Sequence, residues 1–177
     1  GMDFQWGVLK GKNVFLVGVV VLTFGISAGR VAAQSSPLAN PYQSILDWAK
    51  LPQGRVWGQM AALGIDSSGS IWAVERCGGT TCDGRPEAPV IAFGPSGDVV
   101  NSVGAGIFVF PHGITIDDDD NLWITDGRGV DGKGHQVIKF NPAGEIVMRL
   151  GTAGVAGEGP DTFNGPSAVA IAANGDI

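Results

Sequence analysis

Short apolar runs separated by turn residues fill the chain from residue 53 onward, and they recur at a fixed spacing. The run Gly64–Val74 corresponds to Thr115–Thr125 at an offset of 51 residues. The run Val90–Val100 corresponds to Val137–Val147 at an offset of 47 residues. A third unit opens at Ser167–Ile171. A period near fifty residues predicts a repeat architecture in which similar units pack side by side.

Each complete unit contains four short β-like runs joined by tight turns. The turns of the two units are predicted at Asp66–Gly69, Pro95–Gly97, Asp117–Asn121 and Pro142–Gly144. Four strands per repeat are typical of a β-propeller blade. The pattern therefore predicts an all-β fold with two blades and the start of a third, at about 56–104, 110–151 and 163–177.

A helical repeat fits the pattern less well. An α-solenoid needs helical periodicity over about ten residues per element, and glycines and β-branched residues interrupt every candidate. Alternation within Gln136–Phe140 favours a strand, and Trp72 and Trp123 lie inside apolar runs. We therefore expect both tryptophans in the core between blades rather than in a site.

Composition and charge narrow the classes of function. The chain has 29 glycines among 177 residues and 16% charged residues, which agrees with turn-rich β structure. Its 11 basic and 17 acidic residues give a net charge of −6. Nucleic-acid binding needs clustered Lys and Arg, so a nucleic-acid partner is not expected. The sequence ends as an apolar strand begins, which predicts a fragment of a longer protein.

The N-terminal stretch has the layout of a signal peptide. Lys10 and Lys12 precede the apolar run Val14–Ile26, and the small residues of Val31–Ala33 offer a cleavage site. This predicts a signal segment at 1–33 and a secreted or periplasmic protein. The alternative is an uncleaved N-terminal anchor, the one expected contact with a membrane. Residues 34–52 are predicted to be a linker with a short helical turn at Tyr42–Ala49.

The chain has two cysteines, Cys77 and Cys82, separated by four residues. In an oxidising compartment this spacing favours a local disulfide. Half of a zinc site is the alternative, but a structural zinc site needs four ligands and no second Cys or His pair lies at suitable spacing. We therefore predict the disulfide.

Three further features are interpreted as structural. Gly127–Gly132 matches a dinucleotide-binding glycine pattern, yet a strand rather than a helix follows, so a flexible inter-strand loop is predicted. Asp117–Asn121 has the start of a calcium loop, but Leu122 occupies the obligatory glycine position, which favours an acidic turn. His135 is expected to face solvent in a loop.

The run Phe110–Asp117, continuing through Leu122–Asp126, resembles the NHL-repeat propellers. More narrowly, it resembles the peptidyl-α-hydroxyglycine α-amidating lyases, also called peptidylamidoglycolate lyases. The segment Gly157–Ile171 matches the glycine, Phe, Pro and apolar pattern that opens NHL blades. The resemblance covers roughly residues 52 to 177 and implies a six-bladed parent protein.

The resemblance implies a zinc-dependent lyase that splits a peptide ending in α-hydroxyglycine into a peptide amide and glyoxylate. Arg76 falls where the family has a substrate-binding arginine, and His112 falls where it has a zinc ligand. Leu63 and Ile114 fall where main-chain carbonyls hold calcium. The remaining zinc ligands and the catalytic tyrosine of the family lie in later blades. The small peptide-like substrate would be bound near Arg76.

Other interpretations of the same residues stay open. His112 is also explained as a hydrogen-bonded residue where a strand enters the blade, and Arg76 as the partner of Glu75 or Asp83 in a salt bridge. The chain would then belong to a non-catalytic propeller that binds a peptide, glycan or protein partner. An NHL-like lyase for another substrate is a further alternative.

Overall fold

The computed structural model describes residues 40–177, and residues 44–177 form one compact unit. Within this part of the chain all regular structure is β-strand. The predicted signal segment at 1–33 and the first residues of the predicted linker lie outside the described residues. A search of residues 40–177 finds no helix with the length and hydropathy that crossing a membrane would take.

Eight strands form two separate sheets of four strands each. The strands of the first sheet are β1 Met60–Ile65, β2 Ile71–Glu75, β3 Val90–Phe93 and β4 Val99–Val103. Those of the second are β5 Pro111–Ile116, β6 Leu122–Val130, β7 Lys133–Phe140 and β8 Ile146–Leu150. Both sheets are antiparallel and follow chain order. The prediction of an all-β fold built from four-stranded blades is confirmed.

The two sheets pack face to face over a shared apolar core and spread apart outward. Side chains of both sheets and of the connection between them form this core, including Trp72, Val74, Val90, Phe108, Leu122, Ile124, Ile138 and Phe140. Strand β1 packs against β5, whereas the outermost strands β4 and β8 do not contact each other. Trp72 and Trp123 are both 5% exposed, so the prediction that they are core residues is confirmed.

The turn after the innermost strand has the same construction in each unit. The Asp66 carboxylate accepts the Trp72 indole N–H at 2.8 Å, and the Asp117 carboxylate accepts that of Trp123 at 3.0 Å. The predicted acidic turn at Asp117–Asn121 is therefore confirmed, since its first carboxylate is used inside the fold. A turn with the same backbone hydrogen bonds begins at Ala172 and ends at Asp176.

The segment of the predicted third unit lies beside β5. Thr115 Oγ1 donates to the Val169 carbonyl oxygen at 2.6 Å. Residues 167–171 have no strand pairing, because in both complete blades the innermost strand pairs with the strand that follows the Asp66 or Asp117 turn.

Two local predictions were wrong. Residues 42–49 contain a single turn at Leu46–Asp47 instead of a helical turn. Residues 127–132 are a β-hairpin rather than a flexible loop, since β6 continues to Val130 and β7 begins at Lys133. Asp131 and Gly132 both have positive φ, 47° and 76°, the conformation of the two-residue turn that matches strand twist.

The Asp117 carboxylate predicts a loss of stability in acid. Burial alone would raise its pKa, but hydrogen bonds from Trp123, Lys139 and Asn121 hold the pKa well below its usual range. A lowered folded pKa stabilises the protein above the unfolded pKa, near 4, and this contribution is lost as pH falls below it. We expect Asp117→Asn to reduce the free energy of unfolding by about 1–2 kcal/mol at pH 5, and by clearly less at pH 3.

Urea unfolding followed by tryptophan fluorescence at both pH values measures this difference. Asp118→Asn is the matched control, because Asp118 is an exposed neighbour in the same turn. It should leave stability within about 0.5 kcal/mol at either pH. If the difference in free energy of unfolding between wild type and Asp117→Asn did not change with pH, the charged Asp117 carboxylate would not be the source of the stabilisation.

Candidate functional site

A short disulfide loop follows β2 and forms hydrogen bonds with the start of the second blade. Cys77 and Cys82 are bonded, with Cα atoms 5.1 Å apart, so the predicted disulfide is confirmed. The Cys82 N–H and the Thr81 hydroxyl both donate to the Val109 carbonyl oxygen at 2.8 Å. The loop that begins at Arg76 is thereby attached to the segment that enters β5.

A buried carboxylate supports the entry to the innermost strand of each blade. Asp126, at 0% exposure, accepts the backbone N–H groups of Val109 at 2.9 Å and Phe110 at 2.5 Å. Burial raises the pKa of Asp126, and the two N–H donors and the nearby His135 imidazole partly oppose that rise. Glu75, 51 residues earlier, is equally buried and accepts the Gly58 N–H at 2.7 Å.

Arg76 lies over the ring of Phe110. Its guanidinium carbon is 3.5 Å from the ring centroid, and Nη1 donates to the Gln59 side-chain oxygen at 2.5 Å. The Arg128 guanidinium carbon is 3.8 Å from the same centroid. Burial, and to a smaller extent repulsion from Arg128, lowers the pKa of Arg76 below its ordinary value. The predicted alternative of a pair with Glu75 is not formed, since Glu75 pairs with Arg55 at 2.7 Å.

These side chains line one cleft of about 340 Å³. Its other lining residues are Gln59, Thr80, Thr81, Asp83, Val109, Gly129 and Val130. The cleft combines two guanidinium groups and the Asp83 carboxylate with neutral hydrogen-bonding groups and some apolar surface. Such a surface can bind and orient a small anion such as a carboxylate, because a guanidinium presents parallel N–H donors that match it.

His112 lies at an irregularity in β5. The pairing with β6 shifts register between Pro111 and Ile114. Nδ1 of His112 is 3.2 Å from the Ser167 carbonyl oxygen, and its ring centroid is 6.4 Å from that of Phe110. When Nδ1 carries the proton and donates to Ser167, Nε2 has a free lone pair, as a metal-binding imidazole requires.

The residue after His112 has to be glycine. A Cβ on Gly113 would lie 2.3 Å from the Ser167 carbonyl oxygen and 3.2 Å from the Ala168 Cα. The Gly113 N–H donates to the buried Thr125 hydroxyl at 2.8 Å. The segment of the third unit can therefore approach β5 closely enough for the Ser167 carbonyl oxygen to accept a hydrogen bond from Nδ1 of His112.

The two predicted calcium-binding positions are equivalent, and they lie on neighbouring strands, β1 and β5. Leu63 pairs with Ala73 and Ile114 with Ile124, so each occupies the same place in its innermost strand. A Cβ on Gly64 would lie 3.5 Å from the Ile114 side chain, which shows how closely the two strands approach. Calcium binding by the Leu63 and Ile114 carbonyls stays a prediction.

A complete metal site is not present in residues 40–177, which contain no group of three His, Cys, Asp or Glu side chains able to hold a metal ion. His112 nevertheless fits the requirements of a single zinc ligand, since one ring nitrogen is oriented by a carbonyl and the other is free. The remaining ligands of a zinc site would have to come from outside the described residues.

The structure brings Arg76 and His112 to the same side of the molecule, one from each blade, with Phe110 next to both. Sequence reasoning missed Phe110, Arg128 and Asp126. The repeat offset of 51 residues pairs Asp126 with Glu75 and could have indicated their common role. His135 was predicted to face solvent in a loop, but it lies half-buried in β7.

Comparisons with known proteins confirm the resemblance to the amidating lyases. The chain is 33% identical over 139 residues to peptidyl-alpha-hydroxyglycine alpha-amidating lyase 1 of Drosophila melanogaster, covering 68% of this chain and 25% of that protein. It is 42% identical over 80 residues to a probable lyase of the same name from Caenorhabditis elegans, covering 45% and 21%. The chain thus spans a quarter or less of the length of these relatives.

Two other comparisons add little. No protein-family model matches the chain. A crystal structure of a Bacteroides thetaiotaomicron protein of unknown function gives a TM-score of 0.43 at 22% identity, over 56% of this chain and 26% of that one. The assignment of the fold depends on the strand pairing described above and not on this likeness.

Proposed function

We propose that this chain forms two adjacent blades of an exported metal-dependent lyase, which cleaves a peptidyl-α-hydroxyglycine into a peptide amide and glyoxylate. The observation that carries the proposal is that Arg76 and His112, which belong to neighbouring blades, both lie close to the ring of Phe110. The similarity to amidating lyases from two animals supports the same reaction class.

The reaction breaks the bond between the amide nitrogen and the hydroxyl-bearing α-carbon. The hydroxyl gives up its proton, its oxygen becomes the aldehyde oxygen of glyoxylate, and the amide nitrogen gains a proton. No change of oxidation state is needed. Arg76 would bind the terminal carboxylate with its planar guanidinium and so fix the α-carbon in place. Gln59, which accepts from Nη1, would hold that guanidinium in its orientation.

Three residues of this chain would bind metal ions. His112 would contribute one nitrogen ligand to zinc, which when bound supplies a Lewis acid that lowers the pKa of the substrate hydroxyl. Leu63 and Ile114 would contribute main-chain carbonyl oxygens to a structural calcium ion, a cation that prefers oxygen ligands. The Ser167 carbonyl would keep the His112 ring in the tautomer that leaves Nε2 free.

Export to an oxidising compartment is part of the proposal. The Cys77–Cys82 disulfide supports it, because such bonds persist mainly in secreted and periplasmic proteins. The lysines at 10 and 12 followed by the apolar run 14–26 support it independently.

The test uses protein expressed from the complete reading frame that contains this chain. Zinc is measured by elemental analysis, and glyoxylate release is measured with a peptide that ends in α-hydroxyglycine. We expect His112→Ala to lower both zinc content and turnover. His135→Ala is the matched control, since His135 is the other histidine and its Nδ1 accepts from Gly165 at 3.4 Å; it should retain the metal. Wild-type protein that is free of metal and releases no glyoxylate would overturn the lyase and favour a binding propeller.

A further inference from the structure

Two guanidinium groups share the Phe110 ring, and the proposed function uses only one of them. The distances from the ring centroid are 3.5 Å for Arg76 and 3.8 Å for Arg128. Within residues 40–177 the cations that form ion pairs are Lys50, Arg55 and Lys139. Asp83 lines the same cleft without pairing with either arginine. The described lining of the cleft thus carries two guanidinium groups and one carboxylate, and neither guanidinium forms an ion pair with a carboxylate of residues 40–177.

Arg128 is held in place by its own backbone. The register of β6 and β7 shifts between Asp126 and Gly129, so Arg128 lies on a bulge. Its carbonyl oxygen packs against Gly134 so closely that a Cβ there would lie 1.7 Å away. The hairpin is attached to its surroundings, since the Gly154 N–H donates to Gly134 and Lys133 Nζ to Gly106, both at 2.9 Å. A group held in this way binds a ligand with less loss of conformational freedom.

We infer that Arg128 binds a second carboxylate of the substrate, beside the carboxylate held by Arg76, and so makes the cleft selective for ligands with two carboxylates. This inference rests on the proposed function for the identity of the first carboxylate. The substrate class is a peptide with an acidic side chain next to its reacting end. A ligand with two carboxylates gives each guanidinium an ion-pair partner, whereas a ligand with one carboxylate leaves one guanidinium without such a partner.

The size and lining of the cleft agree with such a ligand. About 340 Å³ accommodates a small dicarboxylate. Thr80 and Gln59 offer neutral hydrogen-bonding groups around the two cations, whereas the Thr81 hydroxyl already donates to the Val109 carbonyl oxygen. Val130 offers apolar contact for the carbon chain between the carboxylates.

The test compares two probes of the same skeleton that differ by one charge, succinate and monomethyl succinate. Isothermal titration calorimetry at fixed ionic strength gives both dissociation constants for protein from the complete reading frame. We expect wild type to bind succinate at least about tenfold more tightly than the monoester, as one added charge-assisted pair predicts. Arg128→Gln should reduce this ratio to within about threefold.

Arg149→Gln is the matched control, because it makes the same substitution at an exposed arginine in β8 of the same blade, outside the cleft and outside the hairpin that holds Arg128. It should keep the wild-type ratio. The inference is overturned if wild type does not prefer succinate, if Arg128→Gln keeps the preference, or if Arg149→Gln loses it equally. Binding that depends on Arg128, together with absent glyoxylate release, would remove the lyase assignment and leave the dicarboxylate site standing.

Discussion

Replacing Arg76 with lysine is expected to lower kcat/KM for an α-hydroxyglycine peptide by about 100-fold or more, the size of effect seen when one oriented donor to a developing oxyanion is removed. Lysine keeps the charge but loses the planar pair of donors. It also loses the stacking on Phe110, where the guanidinium carbon now lies 3.5 Å from the ring centroid. Steady-state kinetics of glyoxylate release measures the change.

Arg85→Lys is the control for this substitution. Arg85 is exposed and follows the disulfide loop, outside the cleft that Arg76 lines. It should leave kcat/KM within about twofold, because surface substitutions away from special features have small effects. If Arg76→Lys retained wild-type kcat/KM with an unchanged melting temperature, the guanidinium would have no positioning role in the reaction.

Replacing Asp126 with alanine is expected to lower the free energy of unfolding by about 3 kcal/mol. The substitution leaves the buried Val109 N–H and the partly buried Phe110 N–H without an acceptor, and a buried group without one costs about 1–3 kcal/mol. Urea unfolding at neutral pH measures the effect. Asp118→Ala removes an exposed carboxylate and should change stability by less than about 0.5 kcal/mol.

Asp126→Asn separates the hydrogen bonds from the volume of the side chain. The amide keeps one acceptor oxygen but turns a donor toward the other backbone N–H, so we expect a loss smaller than that of alanine and still above about 1 kcal/mol. Equal stability of wild type, Asp126→Asn and Asp126→Ala would show that the carboxylate does not support the entry to β5.

The blades could be predicted from the sequence because their determinants are local and repeated. Apolar runs, turn residues and the offset of 51 residues between Trp72 and Trp123 are visible without knowledge of which residues touch. The disulfide was predictable for the same reason, since Cys77 and Cys82 are close along the chain. In each case a short stretch of sequence is sufficient to determine the geometry.

The hairpin of residues 127–132 shows where this reasoning stops. The Asp131–Gly132 pair is a recognised signal for a two-residue turn, but the glycines on both sides hide the strand alternation that would have extended β6 and β7. The contact of Arg128 with Phe110 depends on a bulge and on the close approach of Gly134, and neither has a periodic pattern in the sequence. The cation pair at the cleft was therefore visible only in three dimensions.

The disulfide loop has a further consequence for the geometry of the site. Arg76 opens this loop, and its far end donates to the carbonyl of Val109, the residue before Phe110. If the disulfide were open, the loop would be held to the second blade by these hydrogen bonds without its covalent closure. The Arg76 guanidinium would then be held less rigidly over the Phe110 ring.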